Sequence, residues 1–491
     1  MCKGKDVNKK EISWYAWGTA SFERAKQEEK PLLLFIGYKG CYWCEQMERE
    51  SFVDDKTVSL IDEHCIAVRV DSHERPDIGR YFHRVFTQMT GREANYPLVI
   101  FLSADQVPLY AVSYLPESSR DGMMGLGETV ALVAEKYQQQ RALLLEKGQE
   151  IIDLLQPPKR SIEATTLHSG IVSVISEQIK VLHDSEFGGF GEKPKFPRHS
   201  LLILALDLYR ETKEPDIATL LHRTLDAMTD KGLHDREEGG FHRYCMDRAW
   251  QEPQRGKMLY DNALMSETLL LASTVLEEER YATVALETVE FMRNKLMLDG
   301  CFCAFYNEGV VKDDSMIVSW NAMAIKAFLF AGKRDRVYRQ MGIASLSKLL
   351  EFGMRGGVLY HSFVWGEEPD TEAFLEDYAH VADALIVAYE QTNEEHYLVK
   401  ASELINEALK QFFNQGQWHY SNKEIVLLAD TADGDYSAAL SVMSRVLQKA
   451  TKLIDPTYEK FLQRTLEIHS YALMRQPISM PELARVAMRN S

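Results

Sequence analysis

The chain holds no run of about 18 uncharged apolar residues, the length that crosses a bilayer, and its opening, MCKGKDVNKKEISW, has no apolar core of the kind a secretory signal carries. These absences lead to the expectation of a cytoplasmic protein with no membrane partner. Cysteine is scarce and odd in number, seven in 491 residues, which does not suit a secreted disulfide framework. Positive charge is also short. With 56 Lys and Arg against 73 Asp and Glu, the formal net charge is −17, so no nucleic acid or anionic membrane is expected as a partner held by bulk electrostatics. An anionic substrate would need a local basic pocket. No phosphate-cradling glycine loop stands between a strand and a helix, since GLGETV at 125–130 lacks the spacing. No metal cluster has convincing ligand spacing either, so neither a cofactor nor a metal is expected.

What is present has two textures. Hydrophobic residues at 45% and charged residues at 26% are those of a globular protein, and the length calls for more than one core. In the first part, apolar and β-branched runs at 31–37 (PLLLFIG), 65–71 (CIAVRVD) and 96–103 (YPLVIFLS) predict strands. The segments between them carry apolar residues at helical spacing, with Pro76 placed to open a helix and Gly91 to close one. This predicts an α/β domain over 12–135, followed by a helical linker over 136–160 that ends in the paired prolines of LLQPPKRS.

From 161 to 491 the pattern is almost wholly helical, and it repeats. A glycine followed by aromatics recurs in FGGFGEKPKF (187–196), EGGFHRY (238–244), DGCFCAFY (299–306), GGVLYHSF (356–363) and QGQWHYS (415–421). Each is followed by a helix that opens in a comparable way. Intervals of this length fit helical hairpins in a stacked array. Five visible units and one divergent hairpin would close a six-hairpin α/α toroid, with an open solenoid as the alternative.

Within the first domain, YKGCYWCEQ at 38–46 places Cys41 and Cys44 between a strand and a helix start. Unpaired amides and the helix dipole there favour a thiolate, so Cys41 is the expected nucleophile and Cys44 the resolving thiol. Lys39 would favour a Cys41 thiolate and Glu45 oppose it. Pro97, opening the later strand, would approach the sulfurs if its peptide bond were cis. Two other readings stay open: buried cysteines that only pack, and a zinc site completed by Cys301 and Cys303. Cys2, Cys65 and Cys245 read as structural.

In the helical region, Asp261, Asp377 and Asp435 near helix starts are candidate acids or bases, with His242, His361 and His380 as proton carriers. Arg243 and Lys257 could hold an anionic group. Tyr244, Tyr260, Trp320 and Tyr378 could stack on a sugar ring, and Asn262 and Asn321 stand in the same runs. The plainer roles are helix caps for the carboxylates, structural histidines and core aromatics.

These runs, with SWYAWGTASFERAKQEEKPLLLFIGYKGCYWCEQMERESF, VDSHERPD, KMLYDNAL, SWNAMAI and FLEDYAHVADAL, resemble the spermatogenesis-associated protein 20 family from about residue 12 onward. The resemblance implies a thioredoxin-like domain fused to an α/α toroid similar to N-acylglucosamine 2-epimerases and six-hairpin glycosidases. Departures from the family pattern are specific. Tyr42 and Glu45 stand where the family's CHWCH has histidines, ANYPL replaces a Gly-Gly-Trp-Pro run, and Gln254, Arg255 and Gly256 replace His-Phe-Glu before KMLYDNA. The resulting expectation is a thiol-disulfide oxidoreductase with a protein thiol partner, coupled to a toroid that holds a sugar or other small ligand. The alternative is a carbohydrate-active enzyme or sugar-binding protein with a regulatory thioredoxin-like domain.

Overall fold

The computed structural model describes residues 10–156 and 164–490, and its contacts divide the chain into two compact units, residues 1–159 and 160–491. No helix among the described residues is long and apolar enough to cross a membrane.

The first unit runs β1 (Tyr15–Ala16), α1 (Thr19–Gln27), β2 (Leu32–Gly37), α2 (Tyr42–Glu50), α3 (Asp55–His64), β3 (Ile66–Asp71), α4 (Pro76–Thr90), β4 (Leu98–Leu102), β5 (Pro108–Val112), α5 (Leu126–Gln139) and α6 (Arg141–Leu155). The sheet order is β1-β3-β2-β4-β5. β2 is central, parallel to β3 with Leu34 opposite Val68, and antiparallel to β4 with Leu34 opposite Ile100. Covered on both faces, it reads as an unbroken apolar run rather than an alternating one. Phe35, Val99 and Phe101 share one core cluster with Met47 of α2, Val58 and Ile61 of α3, and Leu126 and Val130 of α5. The three predicted strands and the α4 limits follow the sequence, with Pro76 in the first turn and Gly91 left-handed at the C-cap. The short edge strands β1 and β5 were not foreseen. The stretch expected at 136–160 as a helical linker contains α6, which packs on β5: a Cβ on Gly148 would lie 2.2 Å from the Pro108 carbonyl oxygen, so only glycine lets the helix seat there.

The second unit comprises α7 (Gly170–Leu182), α8 (His199–Thr212), α9 (Pro215–Asp230), α10 (Leu259–Val275), α11 (Glu279–Phe291), α12 (Val318–Ala331), α13 (Arg336–Gly353), α14 (Leu375–Thr392), α15 (His396–Phe412), α16 (Ala439–Leu453), α17 (Glu459–Arg475) and α18 (Pro481–Met488). The helices α8, α10, α12, α14, α16 and α18 each pack on the next, and α18 packs back on α8. The ring is therefore closed. Its sixth hairpin is split, with the outer helix α7 at the start of the unit and the inner helix α18 at its end. Inner helices such as α12 are buried nearly all round, whereas outer ones such as α9 bury a stripe at Ile217, Leu220, Leu221, Leu225 and Met228.

The glycine-aromatic runs are the reversals between an outer helix and the next inner one. Asp299-Gly300, Gly356-Gly357 and Gln415-Gly416 all have positive φ at both positions, the geometry of a two-residue turn whose twist matches its flanking strands. The two earlier reversals share another design, HD-x3-GGF. Asp184 and Asp235 each accept two following amides and a buried lysine, Lys195 at 2.6 Å and Lys257 at 2.7 Å.

Along the inner helices lies a belt of buried charge that sequence reading did not find. Glu267 faces Lys326 at 3.4 Å, Lys326 faces Asp383 at 2.6 Å, and Asp383 faces Arg445 at 2.9 Å. Arg445 meets Glu482 at 3.2 Å, Glu482 meets Arg485 at 2.6 Å, and Arg485 reaches Asp207 at 2.8 Å. Every inner helix contributes to it.

Candidate functional site

In the first unit, Cys41 and Cys44 are joined as a disulfide. Cys41 is the N-cap of α2, and its sulfur accepts the Cys44 amide at 3.2 Å, so one of the free backbone donors of the first turn is satisfied by the sulfur. A Cβ on Gly37 would lie 2.9 Å from Cys44 Sγ, so glycine at the end of β2 gives the second sulfur its place. Asp71 positions the approach to the motif by accepting the amides of Lys39 (3.1 Å) and His73 (2.7 Å), and Tyr38 stacks on His73. The sequence signal for this support was the VDSHERPD run. The Tyr96–Pro97 peptide bond is cis.

Two expectations about the local charges change. Lys39 is engaged with Glu74 at 3.3 Å, and Glu45 is paired with Arg49 at 3.0 Å, so neither acts on the pair as a lone charge. Both sulfurs are buried, while Tyr42 (60% exposed) and Trp43 (52%) stand out beside them. Trp43, Tyr96, Tyr114 and Arg120 line an adjacent cavity of about 570 Å³. Burial pushes the free thiols of Cys65, Cys245 and Cys301 up to about 12 and that of Cys303 to about 11.

The predicted toroid residues fall into three groups. Arg243, Tyr260, Asp261, Trp320, His380 and Asp435 gather at the first turns of the inner helices and the loops that lead into them. Tyr260 packs edge-on to Trp320 with ring centroids 4.8 Å apart, and against Tyr436 at 5.2 Å. Arg243 Nη2 lies 2.6 Å from Asp435 Oδ2, and the Tyr260 hydroxyl donates to that oxygen at 3.2 Å. His199, absent from the sequence candidates, places Nε2 3.5 Å from Asp261 Oδ1. His199 Nδ1, both ring nitrogens of His380 and Asp261 Oδ2 have no hydrogen-bond partner although buried. Burial raises the Asp261 carboxyl above its ordinary value and lowers the His380 imidazole to about 3. The charged belt forms the floor beneath these groups.

The second group holds the fold. Asn262 accepts the Phe241 amide and donates to the carbonyls of Phe241 and Met258; Asn321 repeats this with Phe302 and Ile317. Asp377 is a cap, accepting the amides of Ser319 and Phe374 and meeting His361 Nδ1 at 2.8 Å. Tyr378 packs on Phe412 and accepts from Gln411, and Tyr244 stacks on Phe196. His361, Glu376 and Asp377 offer ligand atoms within 4.8 Å of one another, a cluster that the sequence spacing concealed.

The third group lies apart. His242 and Lys257 line a separate polar cavity of about 750 Å³ with Asp235, Glu238, Arg255 and Tyr306. Lys257, expected to hold an anionic group, donates to Asp235 and the Gly239 carbonyl, as Lys195 does to Asp184 and the Arg248 carbonyl. Burial lowers His242 to about 4.

Comparison with known proteins agrees with this architecture. Residues 5–156 match the thioredoxin-like DsbH family model, described as a protein of unknown function, DUF255. The chain is 33% identical over 261 residues to an uncharacterized protein of Caenorhabditis elegans, covering 52% of this chain and 36% of that protein. It is 33% identical over 296 residues to spermatogenesis-associated protein 20 of Homo sapiens, covering 58% and 37%. The match thus spans little more than a third of these relatives' length. Among solved structures, cellobiose 2-epimerase from Spirochaeta thermophila DSM 6192 superposes with a TM-score of 0.52 at 13% identity, over 67% of this chain and 100% of that one, a likeness of fold. The first unit, with its CxxC pair, thus matches the thioredoxin-like DsbH family, the chain is similar to spermatogenesis-associated protein 20 over the matched part, and the second unit has the α/α toroid fold.

Proposed function

We propose that the first unit exchanges thiols and disulfides with a protein partner through Cys41 and Cys44. The observation that carries this is the Cys41 sulfur at the N-cap of α2, accepting a backbone amide and bonded to Cys44. In the reducing direction, the Cys41 thiolate attacks a partner disulfide, forming a mixed disulfide and releasing one partner thiolate. Cys44, as thiolate, then attacks Cys41 Sγ, closing the Cys41–Cys44 bond and releasing the second partner thiolate. Two electrons pass to the partner, and a dithiol reductant restores the pair by the reverse steps. The exposed Tyr42 and Trp43 provide apolar contact for a polypeptide, and Tyr96 and Tyr114 line the cavity beside Trp43. Equilibration in glutathione buffers, alkylation and mass spectrometry test this. A reversible Cys41–Cys44 disulfide and mixed disulfides trapped by Cys44→Ser are expected; a pair that never changes state would refute it.

A second reading is favoured by a separate observation, the unpartnered buried polar atoms of His199, Asp261 and His380 beside an aromatic wall. Such atoms are ordinarily satisfied, and ring hydroxyls stacked on Tyr260 and Trp320 would satisfy them. The toroid mouth is accordingly read as a site for a sugar or similar polyol. Binding is favoured over turnover, because Gln254, Arg255 and Gly256 replace the family's His-Phe-Glu. Loss of sugar binding on Asp261→Ala or Tyr260→Phe is the expected result, and no binding by any sugar counts against it.

A further inference from the structure

The ion pair between Arg243 and Asp435 crosses the toroid mouth. Arg243 lies on the reversal before α10 and Asp435 on the loop before α16, and these inner helices stand three places apart in a ring of six. Asp435 thus reaches its partner across the full diameter. The residue after it extends the crossing, because Tyr436 donates to Glu376 Oε2 at 3.2 Å and packs against Tyr260. His380 stands close by, its ring centroid 6.4 Å from that of Tyr436. The loop is anchored by Asp433, which accepts the amides of Ala438 and Glu482.

The two ends of the pair differ. The Arg243 side chain is 17% exposed and that of Asp435 is 43% exposed, so the guanidinium belongs to the wall and the carboxylate to the solvent side. Residues 431–437 form bends without regular structure. Beneath lie the unpartnered atoms of His199, Asp261 and His380.

We infer that Asp435 is an internal stand-in for the anionic group of the toroid's ligand, and that the ligand is an anionic sugar, a sugar acid or sugar phosphate. Its anion takes the place of Asp435 on Arg243 and the Tyr260 hydroxyl, its ring lies against Tyr260 and Trp320, and its hydroxyls meet the buried polar atoms. Exchanging one carboxylate for another anion leaves the charge beside Arg243 unchanged, whereas a neutral sugar gives Asp435 no reason to leave. The inference rests on the reading of the mouth as a polyol site.

Isothermal titration of the full chain with D-glucuronate, D-glucose 6-phosphate, D-glucose and inorganic phosphate tests it. One of the two anionic sugars is expected to bind more tightly than glucose or phosphate. Asp435→Asn, at an exposed position, should tighten that binding about tenfold, and Arg243→Gln should weaken it tenfold or more, as expected for a lost hydrogen bond to a charged group. Arg243→Lys should recover part of the loss. Glucose binding as well as the anionic sugars, with no response to Asp435→Asn, would overturn the inference and leave the polyol site standing. No binding by any sugar to the wild type or to Asp435→Asn would overturn both.

Discussion

Replacing Asp383 by Asn removes one charge from the belt inside the toroid and changes little else. Asp383 is 1% exposed and faces Lys326 at 2.6 Å, Arg445 at 2.9 Å and Lys449 at 3.7 Å. Breaking a buried pair from one side costs about 3–5 kcal/mol, because the remaining charge stays buried without compensation. Lys326 would keep Glu267 at 3.4 Å and Arg445 would keep Glu482 at 3.2 Å, which places the expected loss at the lower end, about 3 kcal/mol. With a urea slope of about 3 kcal/mol/M for a large unit, the midpoint falls by about 1 M, read by circular dichroism. The control is Lys348→Ala, which breaks an exposed pair of similar length, Lys348 to Glu351 at 2.8 Å, and should cost less than about 1 kcal/mol. Added salt should shrink the control's effect and not that of Asp383→Asn. The double change Asp383→Leu with Lys326→Met should recover part of the loss. If Asp383→Asn costs no more than the exposed control, the belt does not hold the ring together and the reasoning fails.

Three further outcomes are expected. Asn262→Ala and Asn321→Ala, each deleting three hydrogen bonds in equivalent places, should lower stability by similar amounts, about 2–3 kcal/mol, measured as shifts in urea midpoint; a large inequality would show that the two reversals are not equivalent. Burial holds the Asp433 carboxyl up at about 7, so the folded chain keeps a proton that the unfolded chain releases above about pH 4. Its contribution to stability is full below that pH and lost as pH rises through 7. Asp433→Asn should therefore flatten the decline in melting temperature between pH 5 and pH 8, whereas an unchanged pH profile would contradict the assignment. Asp54 caps α3 by accepting the Thr57 amide at 2.8 Å, and Asp54→Ala should cost about 1 kcal/mol without altering the state of the Cys41–Cys44 pair in redox buffers.

Much of the first unit was legible because its signals are local. The run Leu32–Gly37 is apolar throughout since β2 is covered on both faces, and Pro76 and Gly91 mark α4 through their own backbone preferences. β5 gave a weaker signal, being a short edge strand, and the seating of α6 depends on one glycine meeting a carbonyl 40 residues earlier in the chain.

In the toroid, the sequence by itself determined the repeat. Glycine is favoured where φ is positive, aromatics follow it into the core, and inner helices need apolar residues all round. Which carboxylate does what was decided only by the tertiary structure. Asp377, Asp261 and Asp435 look alike in the sequence, near the starts of three inner helices. Asp377 meets free backbone amides and is a cap, Asp261 meets His199 in a buried place, and Asp435 meets Arg243 from across the ring. A cap can be read from neighbours along the chain, but a partner 192 residues away is supplied by ring closure. The charge belt follows the same rule, because most of its partners lie on different inner helices and meet only when the ring closes.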